Sequence, residues 1–328
     1  MRRREFIATA GALLASLLAA RAQKLADKSA RIGFLRTPLD DPITAAGYPA
    51  FIDELKTSGF IEGKNLTIET VRIDQAAAQL FAETAALARS NVQLLVTEGT
   101  EAALQAAKAA GQSTPIVMWA NNFDPIGRGY VKSLASPGGN ITGIVSLQTE
   151  LAAKQVELLT QAFPERTRLA ILYDGISADQ FDAAARQAKL LHLDVQSQKL
   201  ENPPYDFDAA FRTLAGGTPQ MLLVLSSPFF TPCRAHIADL PIAQRLPTMF
   251  IFKSYVDAGG LMSYGTDPSA IFRQLGFYAA KILDGAKPAD LPVEQAVKFQ
   301  LVVNLKTAKT IGAEPSTAIQ LRADEVIE

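Results

Sequence analysis

The chain has 328 residues, with 32 basic and 33 acidic side chains, 48% hydrophobic residues, one Cys and two His. That length suits two lobes with sizeable cores, and the near-neutral charge balance argues against a nucleic-acid or anionic-lipid partner. The single thiol, Cys233, excludes an internal disulfide, so the fold rests on packing even in an oxidising compartment.

Arg2, Arg3 and Arg4 open the chain, and an apolar run continues from Phe6 to Ala20 before Ala20-Arg21-Ala22. The run is too short to span a bilayer, and small residues stand at the two positions a signal peptidase reads, so residues 1–22 are expected to be a cleaved export signal. Arg3-Arg4 followed by Phe6-Ile7 fits the twin-arginine form, although Arg2 stands where Ser or Thr is usual; the alternative is a Sec signal with a basic start. Cleavage after Ala22 takes away four Arg and one Glu, leaving 28 basic and 32 acidic residues.

The next stretch alternates strand and helix. Strands are expected at 30–35, 66–71, 92–97 and 115–119. Helices are expected at 48–58, with Gly59 as its stop, from an Asp74 cap through residue 88, and from a Thr100 cap to about 110. Strands alternating with helices imply right-handed crossovers and a parallel sheet. The stretch Ala135-Ser136-Pro137-Gly138-Gly139-Asn140 then turns sharply into a β-type run at 141–146. It reads as a seam between two lobes, or else as an ordinary turn and edge strand within one domain.

Beyond it the same architecture repeats without sequence repetition. Helices are expected at 151–162, 178–190, 206–214, 233–245 and 270–283, and strands at 169–173, 193–197, 221–225, 248–252, 259–265 and 298–304. Two further crossings between lobes fit the breaks around 259–268 and the Pro-rich 287–292. The expected division is 23–144 with about 259–292 in the amino-terminal lobe, and 145–258 with about 293–328 in the other.

Enzyme chemistry finds little support. His192 and His236 stand apart from any evident nucleophile, and there is no Gly-x-Ser-x-Gly elbow, phosphate-binding Gly-Lys-Ser/Thr loop or Gly-x-Gly-x-x-Gly fingerprint. Metal-ligand spacing is absent, so neither a metal nor a cofactor is expected.

The loops after the strands say more, because α/β sheets bind ligands at the carboxyl ends of their strands. Those loops carry Arg36 and Thr37; Glu98, Gly99 and Thr100; Asn122 and Asp124; and Ser226, Ser227 and Phe229. Hydroxyls and helix-starting N–H groups suit an anionic ligand end, Asp124 suits an ammonium, and Trp119, Phe123, Phe229 and Phe230 suit an aromatic body. Each also has a plain structural reading: Thr100 and Asp124 as helix caps, the aromatics as core.

The chain resembles the ABC-transporter substrate-binding family with the type I periplasmic-binding fold, the group that includes tryptophan and tyrosine uptake proteins. The resemblance rests on residues 2–7 and 18–23, Ile32-Gly33-Phe34-Leu35, residues 59–65, Ser136-Pro137-Gly138-Gly139-Asn140-Ile141-Thr142-Gly143, and residues 255–265 and 301–309. It implies two Rossmann-like lobes with parallel sheets joined by a multi-strand hinge. It also implies a monomeric periplasmic receptor, neither catalytic nor membrane-spanning, that closes over an amino acid, aromatic acid or similar carboxylate and delivers it to an ABC permease and its ATPase. A binding module feeding a sensor, or an exported α/β enzyme, are the alternatives. The chain departs from the family pattern at Arg36-Thr37, where small residues and Ser are usual, and at Glu98, where Gly-Gly-Thr or similar is usual. Tyr173-Asp174-Gly175 replaces the commoner Asn-Pro type of loop, which adds Tyr173 to the candidate ligand-binding residues. Arg36 and Glu98 either pair with each other or read a charged ligand.

Overall fold

The structure, a computed structural model, describes residues 29–111 and 113–328; the expected export signal lies outside them. The first lobe runs β1 (Ala30–Arg36), α1 (Pro42–Thr57), β2 (Leu66–Arg72), α2 (Ala77–Arg89), β3 (Leu94–Thr97), α3 (Glu101–Ala110), β4 (Ile116–Ala120) and β5 (Ile141–Val145). The second runs α4 (Gln148–Ala162), β6 (Arg168–Asp174), α5 (Ala178–Leu190), β7 (Asp194–Leu200), α6 (Phe207–Gly216), β8 (Met221–Val224), α7 (Arg234–Ala243), β9 (Thr248–Phe250), α8 (Lys253–Asp257) and β10 (Met262–Thr266). The chain then returns through α9 (Pro268–Leu283) and β11 (Glu294–Gln295), and crosses again into β12 (Phe299–Asn304), α10 (Leu305–Ile311), α11 (Thr317–Arg322) and β13 (Glu325–Ile327).

Two sheets result, ordered β11-β5-β4-β3-β1-β2 and β13-β12-β10-β9-β8-β6-β7. All neighbours are parallel except β10 and β12. Successive strand residues face opposite sides, so each sheet needs two covers. Phe34, Val96 and Val117 turn to Phe51 and Leu55 of α1 and Phe272 and Leu275 of α9, while Leu35, Leu95 and Met118 turn to Leu80 of α2 and Leu104 of α3. Burial of each such side chain stabilises by about 1.5–3 kcal/mol. The second sheet is covered in the same way by α4 and α5 on one face and α6 and α7 on the other.

The chain passes between lobes at residues 145–148, 266–268 and 295–299, side by side. Gln295 pairs with Val145, the Ala296 N–H donates to Val145 O at 2.9 Å, and the Asp267 N–H donates to Lys298 O at 3.1 Å. Three laced strands of this kind permit bending about their common line while holding the lobes in register.

Several expectations change. β10 pairs with β9 and β12, so residues 259–266 sit in the second lobe and the return crossing falls at 266–268, where Asp267 caps α9 and Pro268 opens it. The Pro137–Asn140 turn lies at the amino end of β5, because β4 and β5 are parallel and the connection must run back; the crossing itself is at the far end of that strand. Gly143 within β5 has φ 137°, and a Cβ there would lie 2.0 Å from Met118 O, so the position is closed to any side chain. Helix α1 starts at Pro42 and not at 48: Asp41 accepts from the Ile43 and Thr44 N–H groups, and proline suits the first helical position. Asp74 caps nothing, since α2 starts at Ala77 without a side-chain cap and Asp74 is held by Arg72 at 2.6 Å. The short α8, α10 and α11 carry too few turns for their periodicity to stand out.

Candidate functional site

The carboxyl ends of β1, β3 and β4 in one lobe and of β6 and β8 in the other face each other across a cleft of about 1060 Å³. This is at the upper end of the roughly 300–1,000 Å³ of ordinary ligand pockets. A smaller cavity of about 360 Å³ lies beside the crossings, lined among others by Pro42, Lys253, Thr266 and Asp267. Its charges are already matched: Lys253 to Asp257 and Glu325, Asp267 to Lys298. The larger cleft receives the loops from both sheets.

Thr37, Glu98, Gly99, Thr100, Asn122, Asp124, Ser226, Ser227 and Phe229 all line it; Arg36 and Tyr173 do not. Strand alternation explains the first of these. Arg36, only 8% exposed, is the last residue of β1 and turns the other way from Thr37. Its Nη1 donates to Thr37 O at 2.8 Å, and its guanidinium lies 5.0 Å over the Tyr48 ring. It forms no ion pair with Glu98 among the described residues. Tyr173 stacks on Phe181, with ring centroids 4.2 Å apart, and its neighbour Asp174 points inward instead.

Glu98 is the most constrained group of the site. Its N–H donates to Leu35 O at 2.9 Å, which carries the β1–β3 ladder one residue further and aims the side chain between Thr37 and Thr44. Thr44 Oγ1 donates to its carboxylate at 2.8 Å and the Thr37 N–H at 3.0 Å, and the residue is 4% exposed. Burial pushes its pKa up to about 7; the Thr44 and Thr37 hydrogen bonds oppose the rise and the charge of Asp41 adds to it. Asp41 is itself raised by burial, against the pull of its two capped N–H groups and of Arg234. Gly99 follows at φ 68°, a left-handed conformation that glycine adopts freely, with nothing within 3.9 Å of a would-be Cβ. That bend brings Thr100 round to cap α3, accepting from the Ala103 N–H.

Beside this, Trp119 closes the cleft floor, almost fully buried, its Nε1–H donating to Ser146 Oγ at 2.9 Å. Asp124 is exposed on the wall and accepts from the Ile126 N–H at 2.9 Å. Phe123 and Phe229 show their rings to the cleft, whereas Phe230 is fully buried in the second lobe's core.

In the second lobe the organising residue is Asp174, fully buried. Its Oδ1 accepts from the Ile176 and Ser177 N–H groups and the Ser177 hydroxyl, its Oδ2 from Tyr205 at 3.1 Å and Ser227 at 2.5 Å. Burial and the Asp174 charge push Tyr205 up to about 12. Asp174 thus fixes the loops after β6 and β8 together. Across the cleft, Ser226 Oγ donates to Asn122 Oδ1 at 3.1 Å, a direct hydrogen bond between lobes. Sequence reasoning missed Asp41, Asp174, Asp179 and Arg128; the Asp-Pro pair at 41–42 was a readable helix-start signal for the first of them. His192 follows α5 with φ 57°, and His236 pairs with Asp208 at 3.0 Å; neither lines the cleft.

The family model described as "ABC transporter substrate binding protein" matches residues 35–327. Among curated proteins, a tyrosine-binding protein of Clostridioides difficile (strain R20291) is 24% identical over 277 residues, covering 83% of this chain and 78% of that protein. Among solved structures, a conserved domain protein from Vibrio cholerae O1 biovar El Tor superposes with TM-score 0.82 at 24% identity, covering 91% of this chain and 100% of that one. An ABC domain in complex with L-Trp from Streptococcus pneumoniae superposes with TM-score 0.80 at 23% identity, with the same coverage. A ligand-free, open substrate-binding protein with adhesive properties from Clostridium difficile gives 0.71 at 21%, covering 91% and 99%. No helix of the described residues is long and apolar enough to cross a membrane.

Proposed function

This chain belongs to the ABC transporter substrate-binding protein family, and from that premise we propose that it takes a small organic solute into the cleft between its lobes and hands it to a membrane permease driven by an ATPase. The solute is an amino acid, an aromatic acid or a similar compound; the relatives named for tyrosine and complexed with L-Trp support that class. The observation that carries the reading is the cleft itself. Loops from the carboxyl ends of both sheets line one space, and three adjacent crossings join the lobes behind it. A solute touching both walls favours the closed arrangement because only there are all its contacts made. On this reading residues 1–22 direct export, the mature protein starts at Gln23, works in the periplasm as a monomer and catalyses nothing.

The test is a thermal-shift screen of amino acids and aromatic acids, followed by solution scattering. A true ligand at a hundred times its Kd adds about 2.7 kcal/mol of stability and compacts the protein. Turnover of the bound compound, or no stabilisation by any solute class, overturns the proposal.

A further inference from the structure

The charge of the solute can be read from the cleft walls. Among the described residues, six carboxyl groups line them, on Asp41, Asp74, Glu98, Glu101, Asp124 and Asp179, against one cation, Arg128. Two of the six are already matched: Asp74 by Arg72 at 2.6 Å, and Glu101 by Arg128 at 3.7 Å. Arg128 is therefore engaged; of the other four, Asp41 feels the charge of Arg234, and Glu98, Asp124 and Asp179 form no ion pair among the described residues.

Glu98 differs from the other acids in depth. It is 4% exposed and bonded only by neutral groups, the Thr37 N–H and the Thr37 and Thr44 hydroxyls. Arg36, which ends β1 just before Thr37, donates to Thr37 O, lies over the Tyr48 ring and forms no ion pair with Glu98 among the described residues. A carboxylate removed from water in this way is stabilised only when a positive charge arrives.

An anionic solute meets the opposite situation. Helix amino termini are ready anion sites, and those of α3 and α5 open on the cleft. Each, however, already carries a carboxylate in its first turn, Glu101 and Asp179. The first free N–H groups of α1 are taken by Asp41. The Trp119, Phe123 and Phe229 rings that share the lining suit an apolar body and favour a neighbouring cation.

Resting on the receptor role above, we propose that the first-lobe wall of the cleft is an amine-recognition subsite. Glu98 is the counter-charge to a solute ammonium, with Asp41 and Asp124 beside it. The solute class is a primary amine on an aromatic or apolar body, and a carboxylate on it is dispensable.

Three matched probes separate the charge classes by calorimetric titration of the full mature protein: tryptamine, tryptophan and indole-3-propionate. Phenethylamine, phenylalanine and 3-phenylpropionate repeat the contrast without an indole. The expected result is that the amine of a series binds at least as tightly as the zwitterion and at least tenfold more tightly than the acid. Glu98→Gln weakens the amine at least tenfold and leaves the acid within twofold, and its unfolding transition reports that the variant is folded. Asp124→Asn, a milder change on the exposed wall, weakens the amine about threefold. Binding by acids or zwitterions but not amines, or an amine affinity untouched by Glu98→Gln, overturns this inference and leaves the receptor reading standing. Silence of all six compounds overturns this inference, while the receptor reading falls only if the wider solute screen is silent as well.

Discussion

Replacing Glu98 by Gln should change how stability depends on pH more than it changes stability itself. The carboxyl sits at about 7 in the folded protein against an ordinary 4.5. At 1.36 kcal/mol per pH unit this is about 3 kcal/mol, and burial is nearly complete, so solvent screening takes little from it. The sign follows from proton binding. Between pH 4.5 and about 7 the native state still holds the proton that the unfolded chain has released, so native stability falls as pH rises through that window and then levels off. Gln keeps the shape, accepts the Thr37 N–H and lets a threonine hydroxyl turn round to accept from its amide, so at pH 4.5 the variant should lie within about 1 kcal/mol of the parent. At pH 8 it should be more stable by up to about 3 kcal/mol. Subtracting the two curves removes the other titrating groups, among them Asp74 and Glu69, whose lowered values run in the opposite direction. The assay is urea unfolding of ligand-stripped protein from pH 4.5 to 8, followed by the fluorescence of Trp119, the chain's one tryptophan, which lies on the floor of this cleft. Parallel curves for parent and variant would refute the reasoning: Glu98 would then be ionised throughout, by water or by an unseen cation.

Gly143→Ala should cost at least about 3 kcal/mol in the same unfolding assay, since its Cβ would meet Met118 O at 2.0 Å in a conformation side chains avoid; Gly139→Val, with nothing within 4 Å, should stay within about 0.5 kcal/mol. Asp174→Asn should destabilise the second lobe by about 1–3 kcal/mol, because an amide then faces the Tyr205 and Ser227 hydroxyls. It should also lower the Tyr205 pKa from about 12, which an ultraviolet titration reads; an unmoved tyrosine would show that burial alone holds it up. Asp124→Ala should cost about 1 kcal/mol of stability through the lost Ile126 N–H bond while weakening an amine ligand far less than Glu98→Gln does; equal losses in titration would place the ammonium at Asp124 instead.

How far the sequence carried this reading depends on what each residue had to specify. Alternating strand and helix patterns gave the two parallel sheets, and Thr100, Asp206 and Asp267 stand at helix starts as their residue types suggest. The rule that ligand loops follow strand ends located most of the lining. Which way a side chain turns at a strand end was not legible. Arg36 and Thr37 differ by one position, and that one position decides between packing face and cleft, while Tyr173 stacks on Phe181 and its neighbour Asp174 is buried, bonded to Tyr205 and Ser227. Glycine punctuation around 259–265 suggested a crossing there, but β10 is a central strand whose partners come from residues far away in the chain, and such pairing leaves no local signal.

If the chain is the receptor proposed above, the energy of closure has to come from the solute. The direct bond between lobes at the cleft, Ser226 to Asn122, is a neutral hydrogen bond worth about 0.5–1.5 kcal/mol net. Moving a two-state equilibrium from mostly open to mostly closed takes about 5.5 kcal/mol of differential affinity. A single contact on one wall cannot supply that, because it is made equally in both states and shifts nothing. On the proposed function, the groups that would change environment on closure are those lining both walls: Glu98 and Asp124 on one, and Phe229 with the Asp174-held loops on the other. A buried carboxylate meeting an ammonium gains most once the second lobe has excluded water, since the attraction grows as the local dielectric falls. The same charge that destabilises the resting fold above neutral pH is therefore well placed to make closure depend on the solute being present.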